Sequence, residues 1–379
     1  IPQGDWSSDV CSSDLDNGNK EYSETKLKIA NLFYVVVFIV VGILGFVMYN
    51  TGDKWIGKII NTDHKMKHEI GLSSVLRTTT PLALWYLIHA LICLCNRDLD
   101  ESSWQFRFHS KFLFVHLFGF FALFAGFIFI PDSFYDVWVK ICYFISGIYL
   151  ILQIIFLVEF FHEINQKFVD QEKMWPIITL TLICGIGSLV AFGVSFYVFV
   201  KDGCSNNNII ISINMILCII LLLGSAFIEH ASIFTGSLIS AYVAYLTIAG
   251  MMCQPKCNRL SDGKQGIAFS VIASVFTLIW AGYSAFSTSN QFASCDCVTE
   301  DEEARTFSLS FFHTLFAFAS VYISMIVTNW GKLESTTSWT TDRGKIPRWV
   351  NFAASWVVIL LYGWTLIAPI ILKDREFDF

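Results

Sequence analysis

In the stretch FLVEFFHEINQ, Phe156 to Gln166, a glutamate and a histidine stand three residues apart, Glu159 and His162. On a helix that spacing sets both side chains on one face. Di-iron carboxylate bundles build half of a metal site from the same Glu-x-x-His unit. A metal centre here would have to recruit His116 and His313 as further ligands. The second Glu-x-x-His that bundle sites require is missing, so metal catalysis is the poorer reading and no metal or other cofactor is expected. HKMKHE places His64 and His68 four apart but lacks the HExxH order, and it reads as a wet interfacial loop.

The elements that would hold these residues are set by composition. Hydrophobic residues make up 55% of the chain and charged residues only 15%, where a soluble domain carries about a quarter charged residues. The charges gather between apolar runs of about twenty residues, each long enough to cross roughly 30 Å of hydrocarbon as a helix. The fold expected is all-α, a polytopic transmembrane bundle. A formal charge of −6 with no basic stripe excludes a nucleic-acid partner. No phosphate loop, GxSxG or HExxH motif is present, and the chain is read as a non-enzyme.

Ten spans are expected, near 28–49, 73–95, 112–130, 137–161, 176–199, 209–227, 233–252, 266–288, 307–328 and 350–372. Residues 1–15 have no apolar core and no helical period and read as a sequencing or assembly scar; 16–27 form a tail, and 28–379 a single multi-span domain with an acidic loop at 290–306. From Asp136 to Lys167 there is no proline and one glycine, Gly147. That predicts a helix of about 48 Å, whose apolar part of about 25 residues is too long for an upright crossing and implies a tilt of about 35°. An oblique helix cannot pack tightly against every neighbour and tends to leave grooves.

Lysine and arginine are balanced across the two sides, so charge does not orient the chain. Cys204, Cys253 and Cys257 fall on the side that holds loop 50–72, which is expected to face the lumen or the exterior because disulfides need an oxidising compartment. The pairing expected is Cys204–Cys257, against an alternative of three free thiols. Cys295 and Cys297, in the acidic loop on the other side, read as reduced or palmitoylated. Trp55, Trp330, Trp339 and Trp349 mark the interfaces; the stretch from Trp55 alternates well enough to lie along the membrane surface, but an aromatic belt with snorkelling lysines is the reading favoured.

Ionisable and amide side chains inside spans are candidates for function by default. Arg77 and Lys140 lie just inside one end of their spans, Gln153 near the middle of the long helix, and Glu159 and His162 towards its other end. His89, His116 and His313 fall in the same half as Glu159, and Asn214 in the opposite half. Three readings compete. Long Arg and Lys stems snorkel to the interface; or Glu159, His162, His116 and His313 gather around one ion; or the set lines a polar furrow through which lipid head groups cross while their tails stay in hydrocarbon.

From about Lys26 onward the chain resembles the serine incorporator family of eukaryotic membrane proteins. The match is carried by LQIIFLVEFFHEIN, by DGCSNNNIIISINMILC followed by SLISAYVAYLTIAGMM, and by FSLSFFHTLFAFASVYISMIVTNW and ASWVVILLYGWTLIAPIIL. The resemblance implies about ten helices in two subdomains, crossed by long oblique helices, with a lipid-accessible cleft. It implies non-enzymatic work on phospholipids: scrambling of phosphatidylserine and related lipids between leaflets, or aid to serine incorporation into phosphatidylserine and sphingolipids. Phospholipids and sphingolipid precursors are then the partners, with lipid-synthesising enzymes beside them. An endomembrane or plasma-membrane location follows. A serine carrier or scaffold, or a proton- or metal-coupled transporter, is the alternative.

Arg77, Gln153, Glu159, His162, Asn165, Asn214 and His313 occupy positions of the family's polar pattern, and Cys204 and Cys257 match its outer-loop cysteines. The chain departs in lacking the family's Cys-rich opening segment, so a first helix is expected to be missing. Loop 50–72 also lacks cysteines, and His116 stands where a lysine is usual.

Overall fold

A computed structural model of the chain describes residues 8–60, 67–94, 103–201, 204–228, 231–254, 257–259, 308–328, 330 and 345–371. Ten helices account for nearly all of them: α1 (Ser8–Ile60), α2 (Lys67–Cys93), α3 (Trp104–Lys111), α4 (Leu113–Ile128), α5 (Asp132–Asp170), α6 (Met174–Phe199), α7 (Ser205–Phe227), α8 (Ile233–Met252), α9 (Ser308–Val327) and α10 (Lys345–Ile371). Eight are long and apolar enough to cross a membrane, and α3 with α4, bent by 76°, adds a ninth if the pair is one crossing. The expected span at 266–288, the acidic loop with Cys295 and Cys297, and His64 lie outside the described residues.

Three boundaries differ from the sequence reading. Helix α1 begins at Ser8, inside the segment read as having no helical period, and runs on to Ile60. The stretch from Trp55 continues this long helix; no proline interrupts it, and Trp55 is exposed on it. Helix α5 has 39 residues, about 58 Å, beginning directly after Pro131. It ends in a Schellman turn, Lys173 N–H to Phe168 O and Glu172 N–H to Val169 O, with Glu172 left-handed at φ 53°. Glutamate is an unusual residue for that position, which is why composition alone stopped the helix short.

The chain divides into two compact units, Ile1–Ser146 with Phe276–Thr328, and Gly147–Val275 with Asn329–Phe379. In the first, α2 is central and packs against α1, α3, α4 and α9. It can be central because three of its hydroxyls are satisfied within the helix: Ser74 donates to Ile70 O, Thr78 to Ser74 O and Thr79 to Val75 O. Small residues then let backbones close in, as they do between membrane helices generally. At Gly71 a Cβ would sit 2.5 Å from the Tyr49 carbonyl oxygen of α1.

In the second unit α8 is central, against α6, α7 and α10. Its buried residues cover more than half of its circumference, and the ring of Phe352 in α10 occupies the space a side chain at Gly250 would need. The core there includes Ile154 and Val158 of α5, Phe192, Ile211, Val243, Val358 and Tyr362. Cys204 and Cys257 form a disulfide that joins the start of α7 to the segment after α8, as expected. Cys253 is a free thiol bonded to Ala249 O.

Candidate functional site

The polar residues singled out in the spans sort into three arrangements. The first centres on Arg77, which is fully buried rather than snorkelling. Its Nη2 forms an ion pair with Asp132 Oδ1 at 2.9 Å and donates to Ile130 O at 2.8 Å. Its Nε donates to Ile128 O and its Nη1 to the Ser73 hydroxyl, which in turn donates to Asp132. The guanidinium also stacks 4.6 Å over the ring of Tyr135. Nε and Nη2 bind the turn between α4 and α5 while Nη1 holds Ser73 of α2, so the group acts as a clamp on that turn.

The second arrangement gathers His89 (α2), His109 (α3), His116 (α4) and His313 (α9), all buried. His109 Nδ1 lies 3.0 Å from His313 Nε2, and His109 Nε2 lies 3.0 Å from Asn31 Oδ1 of α1. The Tyr34 hydroxyl is 2.9 Å from His116 Nδ1 and 3.3 Å from the His109 carbonyl. Tyr86 donates to Tyr34 O, and His89 Nδ1 sits 2.8 Å from Trp85 O. The His89 ring lies 4.7 Å from that of His116 and 5.2 Å from that of His313, between centroids.

Sequence reasoning passed over His109 because WQFRFHSK is too charged to look like part of a span. The signal available was its spacing of seven from His116, two helical turns, interrupted only by the bend at Phe112.

The third arrangement lies in the second unit. Asn214 of α7 donates to Thr247 Oγ1 of α8 at 2.7 Å and to Ser355 Oγ of α10 at 3.2 Å, and it accepts from Trp356 Nε1 at 3.0 Å. Asn165 accepts from Ser232, and Tyr362 pairs with Ser225 at 2.8 Å, with the His162 ring 6.2 Å from that of Tyr362.

On α5 the named residues do not form one continuous seam. At 100° per residue Gln153 and His162 point to opposite sides. Gln153 is buried and its Oε1 finds no partner among the described residues. Glu159 is exposed, with Glu163, Gln166 and Lys167 following it on the exposed side, and His162 is partly buried. Lys140 is exposed nearer the start of α5, as a snorkelling residue would be.

The four proposed metal ligands are therefore split. His116 and His313 sit in the histidine cluster of the first unit, while Glu159 and His162 belong to the second. Among the described residues no three His, Cys, Asp or Glu side chains are placed to hold a metal ion.

Eight or nine apolar helices packed around buried polar ties define an integral, multi-pass helical membrane protein. The serine incorporator family model matches residues 7–296 and 293–375, and the chain belongs to that family. It is 29% identical over 412 aligned positions to a probable serine incorporator of Dictyostelium discoideum, covering 95% of this chain and 98% of that protein. It is 24% identical to serine incorporator 5 of Mus musculus, over 82% of this chain and 81% of the relative. Serine incorporator 3 of Bos taurus is likewise 24% identical, with 80% of each chain covered.

Proposed function

We propose that this protein acts on phospholipids without covalent chemistry, giving head groups a polar track along α5 while their tails remain in hydrocarbon. One observation carries the reading. Ile148, Ile151 and Ile155 form an exposed stripe on α5, and Glu159 falls on the same stripe one turn further on. Glu163, Gln166 and Asp170 continue it in exposed positions. A membrane-facing stripe that changes from isoleucine to carboxylate offers the ammonium of an aminophospholipid a partner below the interface. A carboxylate exposed there is costly unless something polar meets it.

The test uses purified protein in liposomes carrying fluorescent phosphatidylserine. With an active protein an impermeant quencher bleaches label from both leaflets. Bleaching that stops at about half, as in protein-free vesicles, counts against the proposal.

A second reading rests on the name its relatives carry: the protein brings serine to lipid-synthesising enzymes. Serine binding by the purified chain, with no lipid exchange, would favour it.

A further inference from the structure

The histidine cluster has a hydrogen-bond parity that dictates its protonation. Asn31 Oδ1 can only accept, so His109 Nε2 carries a proton and donates to it. A neutral imidazole has one N–H, so His109 Nδ1 accepts, and His313 Nε2 must be its donor. That leaves His313 Nδ1 a bare lone pair. Likewise His89 Nδ1 donates to the Trp85 carbonyl, leaving its Nε2 bare. Both nitrogens are buried and have no hydrogen-bond partner among the described residues, and His116 Nε2 is in the same position.

Buried acceptors without donors destabilise a packed core. The facing groups do not remedy this. They are Tyr34 and Asn31 from α1, Trp85, Tyr86 and His89 from α2, Phe108 and His109 from α3, His116 from α4, and Phe312 and His313 from α9. Cys93 lies one turn beyond His89 on α2. Among the described residues no carboxylate enters this set to offset a positive charge. The rings also touch one another too closely for more than one to become cationic comfortably.

We propose that the His89–His109–His116–His313 cluster is a proton-uptake site that loosens the first unit on acidification. Packed, the four rings are neutral, and they tie α1, α2, α3, α4 and α9 together. A proton added at His89 Nε2 or His313 Nδ1 creates an N–H with no acceptor and a charge facing three other imidazoles, so it binds best when the helices part and water enters. The bare nitrogens are the acceptors and bulk hydronium is the donor; no other reactant is needed.

The experiment is hydrogen exchange of α2 and α9 amides in the purified full chain in nanodiscs, corrected for intrinsic rates, near pH 7.5 and about pH 5. An imidazole with an ordinary pKa of about 6.5 in the opened form multiplies the open population by about 30 at the lower pH. The wild type should show at least that increase in opening, and the double variant His89→Phe/His313→Gln a markedly smaller one. The glutamine retains a donor for His109 Nδ1. Unchanged opening in the wild type, or an equal increase in both proteins, overturns the proposal. Should the double variant not fold, His89→Phe alone is measured over a pH series. It leaves the Asn31–His109–His313 chain intact, so His313 remains to take up the proton: opening must still rise as the pH falls through about 6.5, and a rise confined to pH values below about 5, where carboxylates titrate, would refute the idea.

Discussion

Arg77 and Asp132 meet at 2.9 Å, with the Ser73 hydroxyl touching both, and so fasten the body of α2 to the first turn of α5. A buried pair of this kind is costly to halve because the remaining charge is stranded. Arg77→Met is expected to lower stability by about 3–5 kcal/mol. Arg77→Met/Asp132→Leu should recover most of that loss. Thermal unfolding of the three proteins in the same detergent measures it, and strictly additive losses would show that the two side chains do not depend on each other.

The Cys204–Cys257 bridge closes a loop with a sequence separation of 53. Chain-entropy reasoning puts its stabilisation at about 4 kcal/mol. Cys204→Ala/Cys257→Ala should therefore melt well below the parent, whereas Cys253→Ser should change stability by no more than about 0.5 kcal/mol. Alkylation followed by peptide mass mapping establishes the pairing independently of the melt.

Glu159 can be replaced by the residue its stripe otherwise carries. Glu159→Ile should leave folding intact and slow lipid exchange about tenfold, the worth of one charge-assisted contact. His162→Phe keeps a ring against Tyr362 and should alter the rate by less than about twofold. If Glu159→Ile exchanges lipid at the parental rate, the carboxylate is not part of the path.

Glu172 pays for the turn that ends α5 with a left-handed backbone. Glycine adopts that conformation freely, so Glu172→Gly is expected to stabilise the protein by about 1 kcal/mol. A lower melting temperature would mean that the glutamate side chain makes a compensating contact.

Much of the architecture was legible because hydrocarbon imposes a length and a polarity on each crossing, and runs such as Ile209–Phe227 obey both. What escaped depended on partners far apart in sequence. Arg77 reads as a snorkelling residue until Asp132 is seen beside it, and nothing in the local pattern of either residue announces the other. His109 was hidden by charged neighbours in α3. The end of α5 was misplaced because a glutamate holds a position usually given to glycine. Asn214 was recognised as polar within a span, but its three partners lie on helices whose relative register no periodicity encodes. Gln153, grouped with Glu159 and His162 by its setting on the same helix, faces the other way once the turn angle is applied.

The junction at Asn214 also bears on how the molecule is made. Its amide needs Ser355 and Trp356, both from α10, the last described helix to leave the ribosome. At roughly ten residues per second, α7 and α8 wait on the order of ten seconds after Thr247 before those partners emerge. Throughout that interval the side-chain amide, bonded to Thr247 alone of its three partners, sits half-paired within the membrane until the final helix docks.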